Sequence, residues 1–330
     1  MTKVIRFHQY GGPDVLKIED IEVLAPGPGE VQICVRAIGL NRADALMRRG
    51  TYIETPELPS GLGLEAAGII ERIGEGVVDL VVGDTVSVVP PVSMSRWPAY
   101  GEIATFPAFL IVKHPSTLSF EAAAAIWMAY LTAYGALVDV ANLKAYEVVA
   151  ITAASSSVGL AAIQIANRLG AVPIAITRNS TKRQALLEAG AAHVIVSAEE
   201  DIETKLRTMT QAEGGVRVVL DPVGGPLFDP LTAAMSKGGI LIEYGGLSNQ
   251  PTPFPLFNVL SKSLTLRGYL VHEVVTNPIR LAAAKEFILA GLADGVFRPI
   301  ISRTFSFGEI VDAHRFLESN EQFGKIVITR

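Results

Sequence analysis

The chain has 330 residues, 49% of them hydrophobic and 18% charged, with a net charge of −5. That length exceeds the ~250–300 residues at which single cores stop growing, so two domains are expected. The acidic balance excludes the basic surface that nucleic acid or an anionic membrane requires. Cys34 is the only cysteine, which excludes internal disulfides and thiolate-rich zinc sites.

Residues 1 to about 120 read as β-rich. Apolar runs at Val31–Ala37, Ala67–Ile73 and Thr85–Val89 are separated by turns at Pro26–Gly29, Gly74–Gly76 and Gly83–Asp84, a pattern that predicts a barrel-like domain of short strands. Cys34 alternates within the first run and reads as a packed thiol. The N-terminal residues carry no apolar leader, and a cytoplasmic location is expected. The apolar stretch Ala122–Val138 is shorter than the ~20 residues that span a bilayer, and predicts a buried helix or helix pair.

From Val148 to Tyr269 the pattern alternates. Strands are predicted at 148–152, 172–177, 193–197, 216–221, 239–244 and 264–269, with helices at 160–169, 181–189, 200–210, 226–236 and 256–261. This order implies a doubly wound parallel sheet. A helix at 277–291 follows, then a tail of short strands at 300–305 and 325–329 around a helix at 307–319. The tail is expected to rejoin the first domain.

The segment Val148–Arg183 carries the chemistry. A strand leads into a small-residue turn, a helix and a second strand, the setting in which a helix N-terminus holds a dinucleotide pyrophosphate. Ala154, Ser156 and Gly159 occupy the G-x-G-x-x-G positions, with Ser155, Ser157 and Val158 completing the turn. Small residues let the backbone near a phosphate, and serine hydroxyls donate to it. The turn alone would equally suit a βαβ connection with no ligand. The residues after the second strand decide between the two. Thr177 stands where an acid would select NAD, and Arg178 and Lys182 suit a 2′-phosphate, so the expected cofactor is NADP(H).

The segments GPDVLKIED (12–20), PGPGEVQICVRAIGLNRAD (26–44), RRGTY (48–52), LPSGLGLEAAGII (58–70), GDTV (83–86), LTAYGAL (131–137), LDPVGG (220–225) and GKIVI (324–328) together resemble the medium-chain dehydrogenase/reductase superfamily, in its zinc-independent quinone oxidoreductase branch. The resemblance covers essentially the whole chain. It implies a GroES-like β-barrel catalytic domain of residues 1–122 and 271–330 and a Rossmann NADP(H)-binding domain of residues 123–270. It implies a small-molecule quinone or enone substrate, and a homodimer joined near 239–246 and 264–269. In the zinc alcohol dehydrogenases of this superfamily a Cys and a His ligate the metal; Asn41 and Leu64 stand at those positions, and no metal is expected. Asp44 and Glu65 remain, and are expected to pair with Arg42, Arg48 or Arg49.

Tyr52 resembles a tyrosine proposed as proton donor in enoyl thioester reductases, and its hydroxyl suits an enolate-like oxygen; the plain alternative is a packing ring at a loop edge. Asn41 carries an amide suited to a ribose, nicotinamide or substrate carbonyl. By resemblance, Thr132 lies beside the nicotinamide, Tyr244 and Gly245 in the cofactor crevice, and Asn320 and Lys325 near the cofactor. Met94, Trp97 and Tyr100, in a Pro-rich loop, either wall a substrate pocket or cover the core. The resemblance and these residues imply an NADPH-dependent reductase of quinones or α,β-unsaturated carbonyls. An enoyl thioester reductase and a cofactor-binding structural protein without turnover are the alternatives. Contacts to a 2′-phosphate are worth ~1.5–3 kcal/mol each, so Arg178→Ala should raise the Michaelis constant for NADPH about tenfold and leave that for NADH unchanged. Equal use of both cofactors by the wild type would refute the assignment.

Overall fold

The computed structural model describes residues 1–115 and 117–330. The chain divides into two units, one formed by Met1–Met128 with Pro299–Arg330 and the other by Ala129–Arg298.

The first unit begins with β1 (Thr2–Phe7), β2 (Leu16–Ile21), β3 (Glu30–Gly39), α1 (Arg42–Arg49), β4 (Ser60–Gly61), β5 (Glu65–Ile73), β6 (Thr85–Val88), β7 (Ile103–Pro107) and β8 (Ile111–Lys113). Helices α2 (Phe120–Ala123) and α3 (Trp127–Tyr134) follow. The second unit continues with β9 (Val148–Ile151), α4 (Ser157–Arg168), β10 (Val172–Thr177), α5 (Arg183–Glu188), β11 (His193–Val196), α6 (Ile202–Met209), β12 (Val216–Asp221), α7 (Phe228–Ala234), β13 (Met235–Glu243), α8 (Leu256–Lys262), β14 (Thr265–Gly268), α9 (His272–Val275) and α10 (Pro278–Ala293). The tail returns to the first unit with β15 (Ile301–Ser306), α11 (Ile310–Ser319) and β16 (Lys325–Thr329).

In the first unit β3 pairs with β5, β7 and β16, so the tail strand lies directly beside an N-terminal one. Its core gathers Ile5, Phe7, Val31, Ile33, Met47 and Phe106. Gly39 ends β3 because a Cβ there would come within 2.0 Å of the Ala124 carbonyl and 2.8 Å of the Glu65 carboxylate. The bare backbone lets α2 approach the sheet and leaves room for Glu65.

In the second unit the strands run in the order β11-β10-β9-β12-β13-β14 and all pair in parallel. This is the doubly wound arrangement expected from the alternation, and ligands of such sheets sit at the carboxyl ends of the strands. The inner strands are unbroken apolar runs, as burial on both faces requires.

Two expectations need correction. Residues 271–298 belong to the second unit, not to the returning tail. The Phe287 ring lies 5.2 Å from Tyr134 and 5.7 Å from Phe297, and the Arg168 guanidinium stacks 5.4 Å from Phe287, all within that unit. The apolar helix is also longer than the sequence suggests, because a π turn at Gly135–Val140 extends α3. Phe120–Val140 is a run of 21 residues, long and apolar enough to cross a membrane, but its most apolar window is 78% buried inside the fold, as in a core helix.

Candidate active site

Asn41 precedes α1, and its extended backbone places it at the N-cap. The Asp44 carboxylate reaches back to accept the Asn41 N–H at 2.7 Å and also accepts the Tyr100 hydroxyl at 2.9 Å. Tyr100 in turn lies 3.2 Å from His314 Nε2. Burial pushes Asp44 up to about 6, against the Asn41 and Tyr100 hydrogen bonds. Burial, with Arg48 and Arg42 nearby, pushes His314 down to about 3, so its imidazole is neutral at physiological pH.

Glu65 opens β5 and accepts the Met128 N–H at 3.0 Å and the Asn41 amide at 3.2 Å. Lys325, at the start of β16, forms a buried ion pair with Glu65 and donates to Asn41 Oδ1 at 2.7 Å. Burial lowers Lys325 from the usual lysine range and Asp44 opposes that shift; the carboxylate in contact keeps it an ammonium. The expected arginine partners are engaged elsewhere. Arg48 and Arg49 pair with Glu318, and Arg42 donates to the Leu317 carbonyl and Asn320 Oδ1. Asn41 is 7% exposed and Lys325 2%. Their polar atoms meet in this network. The donor set does not fit zinc: Asn41 and Leu64 supply no strong ligand and Glu65 is neutralised by Lys325. No group of three His, Cys, Asp or Glu side chains able to hold a metal occurs among the described residues.

Tyr52 follows α1 and packs its half-buried ring against the core of the first unit. Burial, then Asp44 and Glu54, push its phenol up to about 12, so it remains a hydrogen-bond donor at neutral pH. The three residues proposed for the substrate wall separate. Met94 and Tyr100 are buried in the core, Tyr100 because Asp44 satisfies its hydroxyl. Trp97 is only partly buried, with the Arg96 guanidinium 4.4 Å from its ring.

In the second unit, the turn from β9 to α4 is built from small residues. Ala153 adopts a left-handed conformation with φ 44°, a strained state of the kind that clusters at ligand clamps. Ser156 caps α4 by accepting the Gly159 N–H at 3.1 Å. A Cβ on Gly159 would lie 2.5–2.7 Å from Ala154 backbone atoms, so the last glycine of the fingerprint is a steric requirement. Ser155, Ser157 and Val158 are partly exposed along the turn, while Ala154 is buried. Thr177 ends β10 buried, Arg178 beyond it is exposed, and Lys182 donates to Ser155 Oγ at 3.3 Å. Thr132 is buried on α3. Tyr244 follows β13, its phenol raised by burial and by Asp221 and opposed by the Ser156 hydroxyl. Gly245 packs where a Cβ would meet the Pro222 carbonyl at 2.9 Å. In the first unit, Asn320 ends α11 in a left-handed conformation.

Residues 157–290 match the zinc-binding dehydrogenase family and residues 27–151 the alcohol dehydrogenase GroES-like domain. The chain is 32% identical to quinone oxidoreductase 1 of Escherichia coli (strain K12) over 99% of both sequences. It superposes on the crystal structure of Escherichia coli quinone oxidoreductase complexed with NADPH with a TM-score of 0.91, at 31% identity, covering 99% of this chain and 100% of the other. The CurK enoyl reductase gives a TM-score of 0.89 at 26% identity, covering 99% of each chain. The chain belongs to the medium-chain dehydrogenase/reductase superfamily, in its quinone oxidoreductase-like branch.

Sequence reasoning missed a carboxyl pair at the carboxyl ends of β12 and β13. Asp221, fully buried at the end of β12, accepts the Val223 N–H at 2.9 Å, the Gly224 N–H at 3.0 Å and the Thr152 hydroxyl. The Asp-Pro-Val-Gly-Gly run signals such a turn. Glu243 is its neighbour in register on β13, and both of its carboxyl oxygens are buried, facing Asp221 and the Gly245 N–H. Burial and Asp221 push Glu243 up to about 9 from 4.5, so it carries a proton and donates it towards Asp221. Between those values the folded protein holds more protons than the unfolded chain, so stability falls as pH rises. This group contributes a slope of at most about 1.4 kcal/mol per pH unit. Urea unfolding from pH 6 to 9 should show Glu243→Gln with a flatter decline than the wild type; identical slopes would refute the shared proton.

Proposed function

We propose that this NADPH-dependent oxidoreductase reduces quinones or α,β-unsaturated carbonyls without a metal. The supporting observation is the Lys325 ammonium held by Glu65 and Asn41, among residues that offer zinc no ligand set. A metal-polarised alcohol or carbonyl is the chemistry that such a site lacks. Conjugated acceptors need less, because charge from hydride addition spreads to a distant oxygen that a hydrogen-bond donor can stabilise.

NADPH supplies the hydride when bound. The Ala154–Gly159 turn receives the pyrophosphate at the α4 N-terminus, and Arg178 and Lys182 neutralise the 2′-phosphate. Tyr244, Gly245 and Thr132 flank the cofactor. Tyr52, kept protonated, donates to the substrate oxygen as negative charge develops. Asn41, Asp44, Glu65 and Lys325 hold the start of α1, the helix that leads to Tyr52. The likeness to CurK enoyl reductase supports a second reading, an enoyl thioester reductase, which turnover of an enoyl-CoA would favour over quinones.

A soluble, cytoplasmic homodimer completes the proposal. Strand β14 is an edge of the parallel sheet, and Leu256, Phe257 and Leu260 of α8 are exposed beside Phe254. A second copy would cover this apolar surface. Native mass spectrometry should therefore give about twice the 35.1 kDa chain mass with no zinc retained; a monomer, or stoichiometric zinc, would count against the respective claim.

The function itself is tested by NADPH consumption over a naphthoquinone, linear and cyclic enones, an enoyl-CoA and an aldehyde. Tyr52→Phe should lower enone turnover by ~10- to 100-fold, or about 1.4–2.8 kcal/mol, with NADPH affinity unchanged. Wild-type rates on every substrate would remove Tyr52 from the chemistry.

A further inference from the structure

Glu54 lies two residues beyond Tyr52, in the loop between α1 and β4. Its carboxylate accepts four hydrogen bonds from three consecutive residues. These are the Ser93 hydroxyl at 2.6 Å, the Met94 N–H at 3.0 Å, the Ser95 N–H at 3.3 Å and the Ser95 hydroxyl. The donors are themselves held in place, because Ser93 Oγ accepts the Arg96 N–H at 3.2 Å and the Ser93 carbonyl accepts the Trp97 N–H at 3.2 Å. The 93–97 segment is thus a closed turn whose donors converge on one carboxylate. Among the described residues from Tyr52 to Leu58, Glu54 makes the loop's hydrogen bonds to the rest of the unit. Hydrogen bonds to an ionised acceptor are about twice as strong as neutral ones, so this cluster is the polar tie of a loop whose other anchor is the packing of the Tyr52 ring.

We propose that Glu54 is a positioning residue for the reaction: it clamps the Tyr52 loop to the Ser93–Ser95 turn and fixes where the Tyr52 hydroxyl meets substrate. The inference rests on the donor role of Tyr52 given above. The clamp joins the Tyr52 loop to the turn that carries the partly buried Trp97. The nest is built for a carboxylate, with two main-chain N–H groups and two hydroxyls around it. Glutamine in the same place would turn an amide NH₂ towards donors.

The test is a double-mutant cycle on the full enzyme, read as kcat for an enone with NADPH dissociation constants measured alongside. Glu54→Ala and Glu54→Gln should each lower kcat about tenfold and leave NADPH affinity unchanged, while Glu54→Asp retains most of the rate. Adding Tyr52→Phe to Glu54→Ala should slow it by less than about twofold further, because a misplaced hydroxyl has little left to lose. Sodium acetate should partly restore Glu54→Ala, by refilling the nest, but not Glu54→Gln. Wild-type kcat in Glu54→Ala beside a slow Tyr52→Phe would overturn the clamp and leave the donor role standing. A full-rate Tyr52→Phe would overturn both. Fully multiplicative effects, or loss of NADPH affinity in the Glu54 variants, would place Glu54 in some other role and overturn the clamp.

Discussion

The buried pair between Lys325 and Glu65 is the constraint on which the first unit depends. Taking an ammonium and a carboxylate out of water costs several kcal/mol per ion, and only close contact with further hydrogen bonds offsets it. Here those bonds come from both sides of the Asn41 amide and from the Met128 N–H. The pair therefore joins the start of β16, the start of β5 and the N-terminus of α1. Gly39 stands alongside with no side chain to crowd it. Removing either charge would strand the other in the core, at a cost of about 3–5 kcal/mol.

The same pair defines what chemistry the site can do. Its lone cation is a protein side chain already matched by a carboxylate, so it polarises nothing outside its network. Under the proposed function, stabilisation of substrate charge falls to neutral donors such as the raised Tyr52 phenol, which lies outside that network. A phenol this hard to ionise is a weak acid, suited to holding an oxyanion by hydrogen bonding.

The second unit was legible because its signals are local. A strand, a small-residue turn, a helix and a basic run lie within some forty consecutive residues, and the register of the parallel sheet follows from their alternation. The site in the first unit was less legible because its contacts cross the sequence. Glu65 and Lys325 are distant in the chain, as are Arg48 and Glu318, so short-range pairing pointed to the wrong arginines. Tyr100 read as a loop aromatic because nothing nearby in sequence announces Asp44 as the partner of its hydroxyl. Gly135 lies inside the apolar stretch read as a helix or helix pair, although glycine disfavours a helix interior. In the fold a Cβ there would lie 1.9 Å from the Tyr269 hydroxyl, so the glycine serves a close packing contact inside the second unit.

The first unit is assembled from both ends of the chain, whereas the second is one continuous segment. During synthesis from the N-terminus, residues 129–298 are all available before the ribosome has made β16. Domains generally fold as units as they emerge. The Rossmann sheet can therefore close first, while β3 waits with an unpaired edge and Glu65 waits without its counter-charge. Completion of the first unit waits for β16, so a chain stopped before Lys325 would leave β3 with an open, aggregation-prone edge.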